Sequence, residues 1–370
     1  MHSDPWFQVT SEDQIASPAL LIYPERIRHN IDQMLKIAGA AERLRPHVKT
    51  HKMSEIIRMQ LDSGIYKFKC ATLAEAELLA RTGARDVLVA YPLTGPGPGR
   101  LTDLQSRYPK TRFSTLVDHP DTLENLTEAV AAAGVILGVF MDLNVGMNRT
   151  GIPPGPEAID LYAKIRAAKS IECQGLHVYD GHLRNPDPEA RSEDCNLAFD
   201  NVRELADQLG EAGMDVPTII AGGSPTFPVH ARRDGVELSP GTTLLWDARY
   251  GQQFPEMPFL PAATLLCRVI SKPAPNTLCL DLGHKAVAAE MPFPRIYLPQ
   301  LPEHSQVGQS EEHLVITAET ADNIPLGTVF YAVPMHICPT VIKYPRALVV
   351  KDGKVTGSWK VAARDYFLPD

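Results

Sequence analysis

From about residue 25 to 240 the apolar positions switch back and forth between a helical spacing and short unbroken runs. Ile27, Ile31, Met34 and Leu35 recur every three or four residues, which predicts a helix over 27–38. A candidate strand over 44–48 precedes a helix over 54–62, where Ser54 and Glu55 suit a helix start. KFKCAT (67–72) then reads as strand, 73–81 as helix with Gly83 placed for a left-handed cap, and DVLVAY (86–91) as a buried strand. The alternation continues through strand 113–117, helix 121–133, strand 135–142, helix 156–169, strand 173–179, helix 192–212 and strand 218–221, with 236–239 as a candidate eighth strand.

Repeated βα units predict a parallel sheet, because each crossover must return over one face. About eight such units suit a closed (β/α)8 TIM-type barrel, with an open doubly wound sheet as the alternative. Beyond residue 250 the texture changes: prolines crowd 255–261, and 263–271, 277–282, 313–317, 328–332, 346–351 and 357–361 read as antiparallel strands. Asp352-Gly353 is a hairpin-type turn between apolar runs. The expected organisation is α/β, with a barrel over residues 24–250 and a C-terminal mainly antiparallel β domain from 1–23 and 251–370. A strand over 19–23 precedes the barrel and could join it instead.

Composition narrows the class. The 370 residues carry 36 basic and 44 acidic side chains, a net charge of −8 with no basic run, so nucleic acid and anionic membranes are unlike partners. Six scattered cysteines without a CxxC pair fit a reducing compartment, which predicts cytoplasm. The acidic N-terminus MHSDPWFQVTSEDQ lacks the pattern of a signal peptide, and no apolar run approaches the roughly 20 residues of a membrane span.

Reactive residues of a barrel lie at the C-terminal ends of its strands. Lys49, in PHVKTHK after the first strand, is the leading candidate: an amine partly desolvated there loses proton affinity and suits Schiff-base chemistry. Spacing alone also admits a surface lysine. Gly222-Gly223-Ser224 follows a buried strand and could cradle an anion, or serve as an ordinary turn. The prolines of Gly95-Pro96-Gly97-Pro98-Gly99 remove N–H donors, so that stretch reads as a stiff loop rather than a phosphate site. In an extended segment His336 and Cys338 share one face, half of a metal site or else a buried thiol beside a bonded histidine.

Taken in order, PHVKTHK, NRTG, YDGH, AGGSPT and HICPT resemble the D-threonine aldolase and D-serine dehydratase group of pyridoxal-phosphate enzymes, which share the alanine-racemase-like fold. The resemblance spans roughly residues 17–365. It implies that Lys49 carries the cofactor, that Gly222, Gly223 and Ser224 bind its phosphate with Gly241, Thr242, Thr243 and Tyr250 nearby, and that Arg149 and Tyr179 line its ring. It also implies a divalent metal (Zn, Mn or Mg) on His336 and Cys338.

Two markers pull apart. Cys338 stands where the group's aldolases usually carry aspartate and its dehydratases cysteine, whereas His182, shortly after Tyr179, is the aldolase feature. Retro-aldol cleavage needs a base for the β-hydroxyl proton, which His182 could supply, with His51 a weaker candidate. The leading expectation is a lyase cleaving D-3-hydroxy-amino acids to glycine and an aldehyde. Dehydration of D-serine or D-3-hydroxyaspartate to a 2-oxo acid and ammonia is the alternative. A metal-free racemase and a non-catalytic cofactor carrier are the readings from other classes. Relatives of this fold often pair, so a homodimer is expected.

Overall fold

The computed structural model describes residues 6–367; Met1–Pro5, where the reading of the N-terminus begins, lie outside them. A first strand, β1 (Ala19–Ile22), leads to helices α1 (Pro24–Ala38) and α2 (Ser54–Asp62). Strict alternation follows: β2 (Lys67–Cys70), α3 (Leu73–Thr82), β3 (Asp86–Pro92), α4 (Gly97–Arg107), β4 (Arg112–Val117), α5 (Pro120–Ala133) and β5 (Leu137–Leu143). It ends with α6 (Pro156–Ala167), β6 (Ile171–Val178), α7 (Pro188–Glu211), β7 (Thr218–Ala221), α8 (Phe227–His230) and β8 (Val236–Leu238). The chain divides into two compact units.

The first unit comprises Met34–Lys49, Ile57–Gly241 and the described residues from Asp365 onward. Strands β2 to β8 pair in chain order, all parallel. That sequential order is barrel topology and excludes the doubly wound sheet. Both edges of this sheet meet one segment: Leu44 bridges Leu238 and His47 bridges Lys69, each in parallel. The predicted strand over 44–48 is therefore corrected to a closing segment without a regular ladder. Pro46 has no N–H to give, and Val48–Thr50 already winds into a 3-10 turn.

Burial explains why these runs become strands. Every position of β5 is buried, and Leu88, Leu116, Phe140 and Ile220 form an apolar layer inside the curled sheet. Each such side chain gains roughly 1.5–3 kcal/mol by leaving water, more than strand propensity offers. Local signals set the helix ends: Thr72 accepts from the Glu75 N–H, and Gly83 closes α3 at φ 104. The Gly95–Gly99 stretch is not only a loop. Helix α4 begins at Gly97, with Pro98 in its first turn, where a missing N–H costs no hydrogen bond. At the N-terminal ends of the strands, buried Arg45 pairs with Asp86 and, at 2.7 Å, with Glu237, which also accepts from Lys67.

The second unit comprises the described residues up to Gln33, Thr50–Ile56 and Thr242–Arg364. It adds α9 (Ala248–Gln253), β9 (Ala263–Ser271), β10 (Thr277–Leu280), β11 (Ile296–Tyr297), β12 (Ser305–Gln309), β13 (Leu314–Thr317), β14 (Val329–Pro334), α10 (Ile337–Val341), β15 (Arg346–Lys351) and β16 (Lys354–Lys360). Its sheet runs β12-β13-β10-β9-β1-β15-β16, with β14 on β9 and β11 on β14. Strand β1 lies here, antiparallel to β9 and parallel to β15, so it does not join the barrel. The cause is its apolar face: Leu21 and Tyr23 pack with Phe7, Val9, Leu266, Tyr331 and Val350. Strands β11 and β12 escaped the sequence because one is two residues long and the other, SQVGQ, has no apolar face. Asp352 and Gly353 both take positive φ, 48° and 66°, as a two-residue hairpin turn requires. Among the described residues no helix is long and apolar enough to cross a membrane.

Candidate active site

Tyr179, just past β6, is the centre of a group at the C-terminal ends of the barrel strands. The Lys49 amine lies 5.8 Å from its ring centroid, the Lys69 amine 5.7 Å and the Arg149 guanidinium 4.7 Å. Lys49 is half-buried on the Val48–Thr50 turn, and its backbone N–H donates to His47 Nδ1 at 3.2 Å. Two glycines make the ring's bed. A Cβ on Gly181 would stand 2.2 Å from the Tyr179 hydroxyl, and one on Gly223 would stand 3.2 Å from the ring edge. Arg149 is exposed, on a loop held by Asn144 and by the Gly151 N–H bonding Asp118 at 2.8 Å.

Beneath these groups lies a chain that sequence reading missed. Asp142 on β5 accepts from His177 Nδ1 on β6 at 2.7 Å and from the Thr150 hydroxyl at 2.8 Å. His177 Nε2 is then left to accept from Lys69 Nζ on β2 at 3.3 Å. All three side chains are buried. Burial, then the Lys49 charge, pushes Lys69 down to about 7, against the pull of Asp142 and Asp180. Burial and the Lys69 charge likewise hold His177 below the usual imidazole range. No local motif announces this chain, because its members come from three strands. The alternation of KFKC was the one available signal, since it turns Lys67 and Lys69 to the same side.

The Gly222–Ser224 turn is braced from within. Gly222 N–H donates to the Val178 carbonyl at 3.0 Å and Gly223 N–H to Asp180 at 3.1 Å, so both amides are engaged by protein. The Ser224 hydroxyl accepts from Gly241 N–H at 3.1 Å. Buried Asp180 also accepts from Thr226 at 2.7 Å and from His230 at 2.8 Å, and Cys195 lies 3.8 Å away. Asp180, Cys195 and His230 bring their ligand atoms within 4.8 Å of one another, close enough to share a metal ion. His230 takes a proton contact from Arg233 on its other nitrogen at 3.0 Å, and burial followed by the Asp180 charge pushes the Cys195 thiol up to about 12. The cluster's chemistry is that of a brace behind the turn. His182 is exposed over the loop after β5, where a Cβ on Gly146 would come within 2.9 Å of its Nε2.

The remaining sequence candidates belong to the second unit. His336 and Cys338 do not share an extended segment: His336 caps α10 and Cys338 sits inside its first turn. Pro334 ends β14 and the chain winds at once, so the strand-face argument is replaced by a helix-start geometry. His336 hydrogen-bonds Glu290 through Nδ1, a partner not foreseen. Burial acts to lower its pKa, but Cys338, Glu290 and Asp247 together raise it to about 9. Cys338 Sγ lies 3.1 Å from Thr50 Oγ1 and 3.8 Å from Thr242 Oγ1. Thr243 is buried in the same 3-10 turn as Thr242, and Tyr250 on α9 packs its ring 5.2 Å from Trp246. Asp247, pushed up to about 6 by burial, accepts from the backbone N–H of Tyr250 and of Ile337. His51 is wholly buried; burial, then the Lys52 charge, takes it down to about 3, which makes it a poor proton acceptor.

Residues 22–248 match the alanine racemase N-terminal domain, more than half of the chain. The chain belongs to this alanine-racemase-like family. Residues 262–350 match a serine dehydratase domain. A D-threonine aldolase of Arthrobacter sp is 31% identical over 329 residues, covering 87% of this chain and 86% of the relative. A 3-hydroxy-D-aspartate aldolase of Paracoccus denitrificans is 28% identical over 95% of this chain and 93% of its own. The crystal structure of a D-threonine aldolase from Filomicrobium marinum superposes with a TM-score of 0.89 at 27% identity, over 96% of this chain and 98% of that one. Dehydratases are relatives as well, so the homologues of this family member are lyases of both kinds.

Proposed function

We propose that this family member is a pyridoxal-phosphate lyase that cleaves D-3-hydroxy-amino acids to glycine and an aldehyde. The observation that carries the reading is the half-buried Lys49 amine beside the Tyr179 ring, with Lys69 and Arg149 over the same ring. Three basic side chains around one aromatic ring suit a planar, anionic cofactor, and Gly181 and Gly223 keep side-chain carbon off that ring. Lys49 would hold the cofactor covalently, Tyr179 and Arg149 its ring, and the Ser224–Gly241 corner its phosphate, with Thr242, Thr243 and Tyr250 as further contacts. When bound, pyridoxal phosphate supplies an electron sink for the pair released on bond cleavage.

His336 and Cys338 are the proposed metal ligands, and their nitrogen and sulfur donors suit zinc better than manganese or magnesium. The metal would polarise the substrate hydroxyl. His182, at the mouth of the same barrel as Lys49, is the proposed base that takes the hydroxyl proton, a task for which buried His51 is unsuited. The test is product analysis. D-Threonine should give glycine and acetaldehyde, and a chelator should stop turnover. The second reading, dehydration to a 2-oxo acid and ammonia, is favoured by one observation, a thiol rather than a carboxylate at 338. A 2-oxo acid from D-serine, with no glycine from D-threonine, would overturn the first in its favour. Six free cysteines fit a reducing, cytoplasmic setting, and a homodimer is the proposed assembly.

A further inference from the structure

Lys69 enters the reading above only as one of three basic side chains at the Tyr179 ring; the Asp142–His177 pair that holds it there has no part in that reading, yet it puts a second lysine against the ring that Lys49 faces. We propose that Lys69 is a positioning residue for Lys49, and that the charge on its amine governs how the Lys49–Tyr179–Arg149 group holds a carbonyl cofactor. This rests on the pyridoxal-phosphate assignment and adds to it a control by residues that do not bond the cofactor.

Two features of the geometry, and the charges around the amine, support it. Lys69 is 3% exposed, so its charge is weakly screened by water. Its hydrogen bond runs to an uncharged partner: His177 spends Nδ1–H on Asp142 and offers Lys69 only a lone pair. Asp142 is therefore felt across the imidazole rather than in contact. The charged groups facing Lys69 are Lys49 and Arg149, which resist its protonation, and Asp142 and Asp180, which favour it. The balance leaves an amine that changes charge at about 7, within the working range of a cell. A proton gained by Lys69 adds a positive charge beside Lys49 and Arg149 at the ring they share.

The test is the visible spectrum of the pyridoxal-phosphate-loaded protein, recorded from acid to alkaline pH. The wild type should show one pH-dependent transition, because Lys69 titrates beside the ring. Lys69→Met should abolish it, and Lys69→Arg, charged throughout, should keep the acid-side spectrum at every pH. Asp142→Asn should lower the midpoint by about 1–3 units, because a favourable negative charge is gone. A role in packing alone predicts an unchanged midpoint in Asp142→Asn and in any folded Lys69 variant, and that result overturns the proposal. A second readout needs no cofactor: in protein labelled with carbon-13 at lysine Cε, one resonance should titrate near 7 and vanish in Lys69→Met or Lys69→Arg. Its absence from the wild type also overturns the proposal. Failure of the protein to develop any visible band on loading would instead sink the pyridoxal-phosphate reading, while the lysine titration still decides the charge of Lys69.

Discussion

The two ends of the barrel each bury a basic side chain among strand residues, and they treat it in opposite ways. At the N-terminal ends Arg45 meets two carboxylates, Asp86 and Glu237, and Lys67 shares one of them. At the C-terminal ends Lys69 meets a neutral imidazole, with the nearest carboxylate one residue further away. The first arrangement neutralises charge in place and raises the proton affinity of Arg45. The second leaves the charge unsettled and lowers that of Lys69. A paired ion is structural; an amine kept near its titration point is available for chemistry or control.

Four variants sharpen or break this contrast. Lys49→Ala should abolish turnover and the visible absorbance of added pyridoxal phosphate, leaving far-ultraviolet circular dichroism unchanged. Arg45→Ala should cost about 3–5 kcal/mol in urea unfolding, because two carboxylates lose their buried partner, yet spare the cofactor band of whatever remains folded. The contrast fails if that variant loses its band without losing stability. Gly181→Ala should push the Tyr179 ring aside and weaken cofactor affinity more than stability, as seen by parallel titration and melting. Lys69→Met should change stability in a pH-dependent way. The native lysine binds its proton less tightly than the unfolded chain does, so its charge destabilises fully below about 7 and the cost fades as pH rises toward 10.5. The variant should gain stability at pH below 7 and lose that gain in alkali.

Much of this molecule was legible in order of residues alone. Apolar runs such as Leu137–Leu143 are long enough to be buried on both faces, and Thr72 and Gly83 mark helix ends by local chemistry. The motif lysine, the glycine turn and Tyr179 converge as barrel-end residues should. What escaped depends on distance in sequence. The Lys69–His177 bond joins residues 108 positions apart, and Glu290 reaches His336 across 46. The closing segment at Leu44 to His47 looked like a strand because its neighbours on both sides, and the proline that spoils its ladder, act only after closure. The HIC triplet was misjudged for the opposite reason: a purely local change, from strand to helix at Pro334, alters which way two side chains point.

The most direct measurement is to reduce the pyridoxal-phosphate-loaded protein with borohydride, digest it, and locate the added mass by peptide sequencing. A single phosphopyridoxyl group on Lys49 is the predicted result. Label on another lysine, Lys69 included, or no label at all, contradicts the account.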